Sequence, residues 1–158
     1  FTLLQKKHDY NGYFVIAGSE QNFNIDIDGM VSNNEKIKLI GKVSDNELLS
    51  LYKNMESLFF ISKYEGFGLP IIESARFMKK IITTKTSSCG EIAPENALLI
   101  NHDNSIDIIG KKVFDYLKSD IKINNIENSL RKIYGIGLYL ERKLLMLKSL
   151  YMKLNNLF

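Results

Sequence analysis

The fold is decided by residues 58–73, which read LFFISKYEGFGLPIIE. The apolar and aromatic run Leu58–Ile61 predicts a buried parallel strand. A loop with Gly66 and Gly68 follows, and Pro70 fits the first turn of a helix, where a missing N–H costs nothing. Leu69 has no side-chain acceptor, so it cannot cap the first N–H groups of that helix. The segment therefore predicts a strand, a glycine loop and an uncapped helix, an arrangement that binds anions such as phosphate.

Two carboxylates bracket this loop. Glu65 stands at its start and Glu73 lies one turn into the helix, with seven residues between them. Carboxylates accept hydrogen bonds from sugar hydroxyls, so the segment predicts a site for a sugar attached to a phosphate. A simpler interpretation of Glu73 alone is an exposed acid near a helix N-terminus, worth about 0.3–1 kcal/mol through the helix dipole. It does not account for Glu65, the glycines or the missing cap.

Strand and helix patterns alternate along the chain, which predicts an α/β fold: a Rossmann-like parallel sheet with helices on both faces. Loops that follow strands of such a sheet share the edge where ligands bind. A capping box, Ser44 to Glu47, precedes one helix. The segment Ser87–Glu91 is interpreted as a polar loop at the same edge, with Cys89 as a small loop residue. The predicted strands are 13–17, 36–40, 57–61, 81–83 and 97–100. The predicted helices are 1–7, 104–118, 123–133 and 138–154, with two more that begin at the capping box and at Pro70.

Length and composition bound the class of protein. The 158 residues suffice for one domain with a core. A net charge of +3 is too small to indicate nucleic acid binding. One cysteine, Cys89, excludes an internal disulfide and fits a reducing, cytoplasmic compartment. No run is apolar enough to cross a bilayer. From Arg131 onward six basic residues and one acidic residue give +5, so the last helix either packs on the domain, which we favour, or touches an anionic membrane surface.

The sequence gives only weak indications of other ligand sites. Asp26 and Asp28 have the spacing of a divalent-cation site, but we favour a solvated loop and predict no metal. No Gly-x-Gly-x-x-Gly follows the first strand, so the classical dinucleotide fingerprint is absent and no cofactor is predicted. A response-regulator or flavodoxin-like domain would need an acidic cluster or a cofactor loop after the first strand, and neither is evident.

The segment Glu65–Glu73 resembles the signature of glycosyltransferase family 4, retaining enzymes of the GT-B fold and members of the group 1 glycosyltransferases. The flanks agree in order and spacing. The matching segments are 13–19, 37–48, 80–92 and 96–100, so the likeness covers about residues 1 to 150.

The resemblance assigns roles to the residues. It places Glu65 at the catalytic position, in contact with hydroxyls of the transferred sugar rather than as a covalent nucleophile. Glu73 is implied to bind the ribose, and backbone N–H groups of the loop and of Ile71 and Ile72 the diphosphate. The implied donor-binding residues are Glu73, Gly66, Phe67, Gly68, Leu69, Gly18, Lys42 and Val43, the last two beside the nucleobase.

The resemblance also predicts the reaction and the domain. The implied donor is a nucleotide diphosphate sugar, UDP- or GDP-linked, and the acceptor is a glycan or lipid-linked sugar, as in bacterial surface polysaccharide assembly. We expect residues 1–158 to be the donor-binding half, without the central first strand, its diphosphate-gripping Arg and Lys, and the acceptor domain. On that expectation the segment alone is inactive. A non-catalytic nucleotide-sugar-binding module is the alternative.

Overall fold

The computed structural model describes residues 1–18 and 27–123 of the chain. Helices and strands alternate through these residues, as the sequence predicts. The helices are α1 (Thr2–His8), α2 (Ile27–Ser32), α3 (Asp45–Asn54), α4 (Leu69–Arg76), α5 (Ser87–Ile92) and α6 (Ile106–Lys118). The strands are β1 (Phe14–Ala17), β2 (Ile37–Gly41), β3 (Ser57–Phe60), β4 (Lys80–Thr84) and β5 (Leu98–Ile100).

All strand pairs in these residues are parallel, which confirms the α/β prediction. The strands form two sheets, one with the order β1-β2 and one with the order β3-β4-β5. Strands β1 and β3 are not hydrogen-bonded to each other in the described part of the chain. The single sheet predicted from the sequence is therefore split into a two-stranded sheet and a three-stranded sheet.

Helices cover both faces of the β3-β4-β5 sheet. Successive residues of a strand point to opposite faces, and Ile81 and Ile82 are both buried, at 0% and 1% exposure. Ile81 packs in a cluster with Ile71 of α4, whereas Ile82 packs in a second cluster with Val113 of α6. Burial on both faces explains why β4 reads as a continuous apolar and threonine run rather than an alternating one.

The prediction of a loop at Ser87–Glu91 is wrong, because these residues form helix α5. Cys89 is likewise a core residue, at 0% exposure, and not a loop residue. A Cβ added at Gly90 would stand 2.2 Å from the Lys85 carbonyl oxygen. Glycine thus lets the short helix lie directly against the end of β4. The sequence pattern did not predict this helix, because Ser87, Ser88 and Glu91 are polar. Its buried side consists only of Cys89 and Ile92.

The sequence pattern of α6 predicts one apolar face, and this prediction is only partly right; the residues of that face are Ile106, Ile109, Val113, Phe114 and Leu117. Val113 and Leu117 are buried, but Ile106 is 70% exposed. The side chain that completes the buried face is Tyr116, whose hydroxyl reaches the Asn96 carbonyl oxygen at 2.9 Å. A tyrosine can join an apolar face when its hydroxyl finds a partner.

Several predictions lie outside the described residues. They concern Asp26, nearly all of the helix 123–133, and the basic helix 138–154 with its membrane contact. Asp28 lies in α2 rather than in a loop. Within residues 1–18 and 27–123, no helix is long and apolar enough to cross a membrane.

Helix α3 begins at the predicted capping box. The Ser44 hydroxyl accepts from the Glu47 N–H at 3.4 Å, and the Glu47 carboxylate accepts from the Ser44 N–H at 2.7 Å. The Ser44 hydroxyl also donates to the Glu47 carboxylate at 2.7 Å, and this bond, together with that from the Ser44 N–H, lowers the pKa of Glu47. Helix α5 offers a contrast, since Thr86 at its N-cap makes no side-chain cap hydrogen bond.

We expect Ser44→Ala to lower the free energy of unfolding by about 1 kcal/mol, the usual worth of an N-cap side chain. Thr86→Ala, at an N-cap without that bond, is the matched control and should leave stability nearly unchanged. Urea denaturation of both variants measures the difference. Equal losses would show that the cap at Ser44 contributes nothing particular.

Candidate functional site

The turn from β3 into α4 has the predicted form. Gly68 is the N-cap residue of α4, with φ of 81° in the left-handed region, and no side chain caps the helix. Pro70 lies in the first turn. A residue with a Cβ would destabilise this backbone conformation by about 1–2 kcal/mol, so the turn favours glycine.

The N–H groups at the start of α4 are not all available. Ile71 donates to the Gly68 carbonyl oxygen at 3.0 Å, so its predicted role as a diphosphate donor is wrong for this conformation. No acceptor is recorded among the described residues for the N–H groups of Gly68 and Leu69. The donors without a recorded acceptor are thus those of the N-cap residue and the first residue of α4, whereas that of the third residue is occupied.

The two glycines of the loop do different work. A Cβ at Gly66 would meet nothing within 4 Å, so the loop is open there to a ligand. A Cβ at Gly68 would stand 3.0 Å from Cδ1 of Ile92, in the packed interior. Phe67 between them packs against the cluster of α4 and α5. One side of the loop is anchored in the core while Gly66 faces open space.

Hydrogen bonds from β4 and α5 hold the loop in place. The buried Thr84 hydroxyl donates to the Ser62 carbonyl oxygen at 2.9 Å. The Ser88 hydroxyl donates to the Glu65 carbonyl oxygen at 2.8 Å. Sequence reasoning missed both residues; the signal that points to them is the carboxyl end of β4, which is next to that of β3.

Glu73 is not the exposed acid of the simpler interpretation. It is half-buried, and its Oε2 accepts a hydrogen bond from the Tyr52 hydroxyl at 2.8 Å. Tyr52, from α3, is buried and stacks on Phe77 with ring centroids 6.1 Å apart. Burial, together with the charge of Glu73, raises the pKa of the Tyr52 hydroxyl, which therefore stays protonated and donates.

A second group lies at the ends of β1 and β2. Gly18, with φ of 143°, donates from its N–H to the Gly41 carbonyl oxygen at 2.8 Å, and Gly41 has φ of 66°. Lys42 follows as an exposed side chain and Val43 as a half-buried one. The structure thus brings Gly18 beside the turn that holds Lys42 and Val43.

The two groups lie at the same edge of the molecule. The Tyr10 hydroxyl, ahead of β1, donates to Glu56, ahead of β3, at 2.8 Å, and the Phe14 and Phe59 rings meet at 5.9 Å. The first contact joins the segments ahead of the two strands and the second joins the strands themselves, which indicates that β1 and β3 run in the same direction. Their carboxyl ends, with Gly18 and the Glu65 loop, therefore share an edge. No direct bond between the two groups is recorded within the described ranges.

Among residues 1–18 and 27–123, no cluster of three or more His, Cys, Asp or Glu side chains could hold a metal ion. The donors present at the edge are backbone N–H groups, the acceptors are Glu65 and Glu73, and the exposed cation beside Gly41 is Lys42. Such a set suits an anion with a hydroxylated group attached.

The family of the chain follows from a sequence comparison. The family model described as "Glycosyl transferases group 1" matches residues 1–133. The chain belongs to the group 1 glycosyltransferases, and its parallel sheets and helices are the Rossmann-like α/β architecture found in GT-B glycosyltransferases.

Solved structures agree with this fold. A glycosyltransferase from Rickettsia africae is 23% identical with a TM-score of 0.63, over 92% of this chain and 42% of that one. Sucrose-phosphate synthase from Thermosynechococcus elongatus is 18% identical with a TM-score of 0.57, over 91% and 38%. The pneumococcal O-GlcNAc transferase GtfA, solved with UDP and GlcNAc, is 22% identical with a TM-score of 0.50, over 66% and 22%.

The chain spans less than half the length of these structures. No curated protein matches it significantly.

Proposed function

We propose that this chain is the donor-binding part of a retaining glycosyltransferase of family 4. It binds a nucleotide diphosphate sugar, UDP- or GDP-linked, and the complete enzyme passes the sugar to a glycan or lipid-linked acceptor, as in surface polysaccharide assembly. The observation that carries the proposal is the uncapped start of α4, flanked by Glu65 and Glu73. The family membership and the UDP complex of the similar GtfA support the donor class.

The diphosphate belongs at the start of α4. Helix N-termini attract anions through free N–H groups and the positive end of the helix dipole. No residue of the described ranges accepts from the N–H groups of Gly68 and Leu69, and a Cβ at Gly66 would meet nothing within 4 Å. Because the loop is fixed by Thr84 and Ser88, these donors need little reorganisation when the ligand binds.

The sugars belong on the carboxylates at either side. Glu73 lies in the helix beyond the diphosphate donors and takes the ribose hydroxyls. Glu65 lies before them and takes hydroxyls of the transferred sugar. The turn at Lys42 and Val43, at the neighbouring strand ends, takes the nucleobase, largely through backbone groups.

Transfer in this proposal needs no covalent enzyme intermediate. N–H donors stabilise the negative charge that develops on the departing nucleoside diphosphate. An oxygen of that diphosphate takes the proton of the acceptor hydroxyl, which attacks the anomeric carbon on the face that the diphosphate leaves. The configuration is thereby retained.

Substitution of the two glutamates tests the division of roles. We expect Glu73→Ala to weaken the nucleoside diphosphate and its sugar conjugate alike, by about 1.5–3 kcal/mol as hydrogen bonds to a charged group are lost. Glu65→Ala should weaken the sugar conjugate alone. Calorimetry with UDP, GDP and their glucose conjugates measures both. Equal losses for both ligands in both variants would reject the assignment, and binding without any sugar transfer by the complete protein would favour a binding module.

The division of the sheet supports a longer natural polypeptide. In β1, Phe14 and Gly18 donate their N–H groups toward β2, so by strand alternation Val15 and Ala17 point theirs toward β3. No partner for these two N–H groups is recorded in the described part of the chain. The side chains of Val15 and Phe59 beside the gap are 44% and 43% exposed. Unpaired strand edges with apolar side chains are costly, and one added parallel strand would pair both edges.

The proposed source of that strand is the polypeptide preceding α1. A strand ahead of α1 would make a right-handed strand-helix-strand unit with β1, the ordinary connection between parallel neighbours. It would also place its carboxyl end between the Gly18 turn and the Glu65 loop, where the two groups of the site face each other.

Hydrogen exchange tests this arrangement. In the 158-residue chain we expect the amides of Val15 and Ala17 to exchange fast, while Phe14, bonded to the Lys36 carbonyl oxygen, is protected. In the protein expressed from its complete reading frame all three should be protected. Fast exchange of Val15 and Ala17 in the complete protein, or their protection in the 158-residue chain, would contradict the proposal.

A further inference from the structure

The hydrogen bond between Tyr52 and Glu73 joins two helices at the site. Tyr52 lies in the last turn of α3, which follows β2, and Glu73 lies in α4, which follows β3. The bond, 2.8 Å from the Tyr52 hydroxyl to Oε2, therefore connects the two sheets beside the proposed ribose position. The proposed function above uses Glu73 and leaves Tyr52 without a role.

We propose that Tyr52 is a positioning residue that holds the Glu73 carboxylate in the orientation that receives the two hydroxyls of a ribose. This inference rests on the proposed function, and it deepens it by naming what selects ribose. Tyr52 holds Oε2, and no hydrogen bond to Oε1 is found within residues 1–18 and 27–123, so Oε1 can accept from the ligand. A carboxylate has room for both, since each oxygen carries two lone pairs.

The Tyr52 ring is well fixed for such a role. It is only 6% exposed and lies nearly parallel to the Phe77 ring, at 11° between the planes. Phe77 is the C-cap residue of α4, so the ring is pinned by the same helix that carries Glu73. The hydroxyl consequently points at a constant place relative to that helix, and it limits the rotamers open to an otherwise flexible glutamate.

The protonation state of the Tyr52 hydroxyl also suits a positioning role, because only a protonated hydroxyl donates a hydrogen bond. Burial and the neighbouring Glu73 charge raise the pKa of Tyr52, so the hydroxyl keeps its proton at neutral pH and donates. An ionised carboxylate has no proton to donate, so it accepts from Tyr52 and from ribose hydroxyls alike.

The competing explanation is that Tyr52 merely ties α3 to α4. A purely structural bond would, when removed, weaken every ligand of the site by the same factor. Removal of a positioning bond would weaken the binding of a ligand only to the extent that the ligand carries ribose hydroxyls. The two explanations therefore differ in ligand discrimination rather than in stability.

Tyr52→Phe, made in the protein expressed from its complete reading frame, removes the hydroxyl and keeps the ring. The probes are UDP and 2′,3′-dideoxy-UDP, with the GDP pair used if the guanine nucleotide binds better. The wild-type protein should bind UDP more tightly than the dideoxy analogue by tenfold or more. Tyr52→Phe should weaken UDP about tenfold and the analogue less than twofold, since a hydrogen bond to a charged group is lost only for ribose.

Tyr116→Phe is the matched control. Tyr116 is also buried, and its hydroxyl also makes a hydrogen bond, to the Asn96 carbonyl oxygen, but it lies on the α6 side away from the site. Its loss should lower the melting temperature and leave the affinities for both nucleotides unchanged. A double variant distinguishes the positioning role from a general loss of stability in Tyr52→Phe. If Tyr52 acts through Glu73, the variant with both Tyr52→Phe and Glu73→Ala should bind UDP no more weakly than Glu73→Ala alone.

The possible results distinguish a failure of the positioning role of Tyr52 from a failure of the proposed function. Equal weakening of UDP and its dideoxy analogue by Tyr52→Phe, or no weakening at all, overturns the positioning role and leaves the diphosphate site standing. Additive losses in the double variant overturn it as well. If the wild-type protein binds neither UDP nor GDP, the proposed function fails, and this inference fails with it.

Discussion

The left-handed backbone of Gly68 is the constraint on which the rest of the site depends. It turns the chain from the loop after β3 into α4 without a capping side chain, so the N–H groups of Gly68 and Leu69, which have no acceptor among the described residues, remain for a ligand. A Cβ there would be strained by φ and pressed against Ile92. The same position thus fixes the helix direction, the packing of α4 on α5 and the availability of the donors.

Neighbouring elements then turn this helix start into a defined site. Thr84 and Ser88 hold the loop through its carbonyl oxygens and do not occupy the N–H groups of Gly68 and Leu69. Tyr52 fixes one oxygen of Glu73 from the opposite helix. Each of these side chains is fully or partly buried, where a hydrogen bond is stronger and an unmade one costs more. The site is therefore supported from both β4 and α3.

Much of this could be predicted from the sequence, because the relevant signals are local. The capping box at Ser44, the proline in the first turn of α4 and the apolar strands are patterns within a few residues. What could not be predicted depends on distant partners. Helix α5 is held by Gly90 against Lys85 rather than by its own polar composition. The Tyr52 contact with Glu73 joins residues 21 positions apart, and no periodicity reports such a pair.

The measurement that bears most directly on the central claim is a nucleotide titration followed by backbone amide NMR in the protein expressed from its complete reading frame. The account predicts that UDP or GDP shifts the amide signals of Gly66, Gly68 and Leu69 first and most. The signal of Ile71, whose N–H is already bonded to Gly68, should move less. Saturable binding with its largest shifts away from this loop would contradict the account.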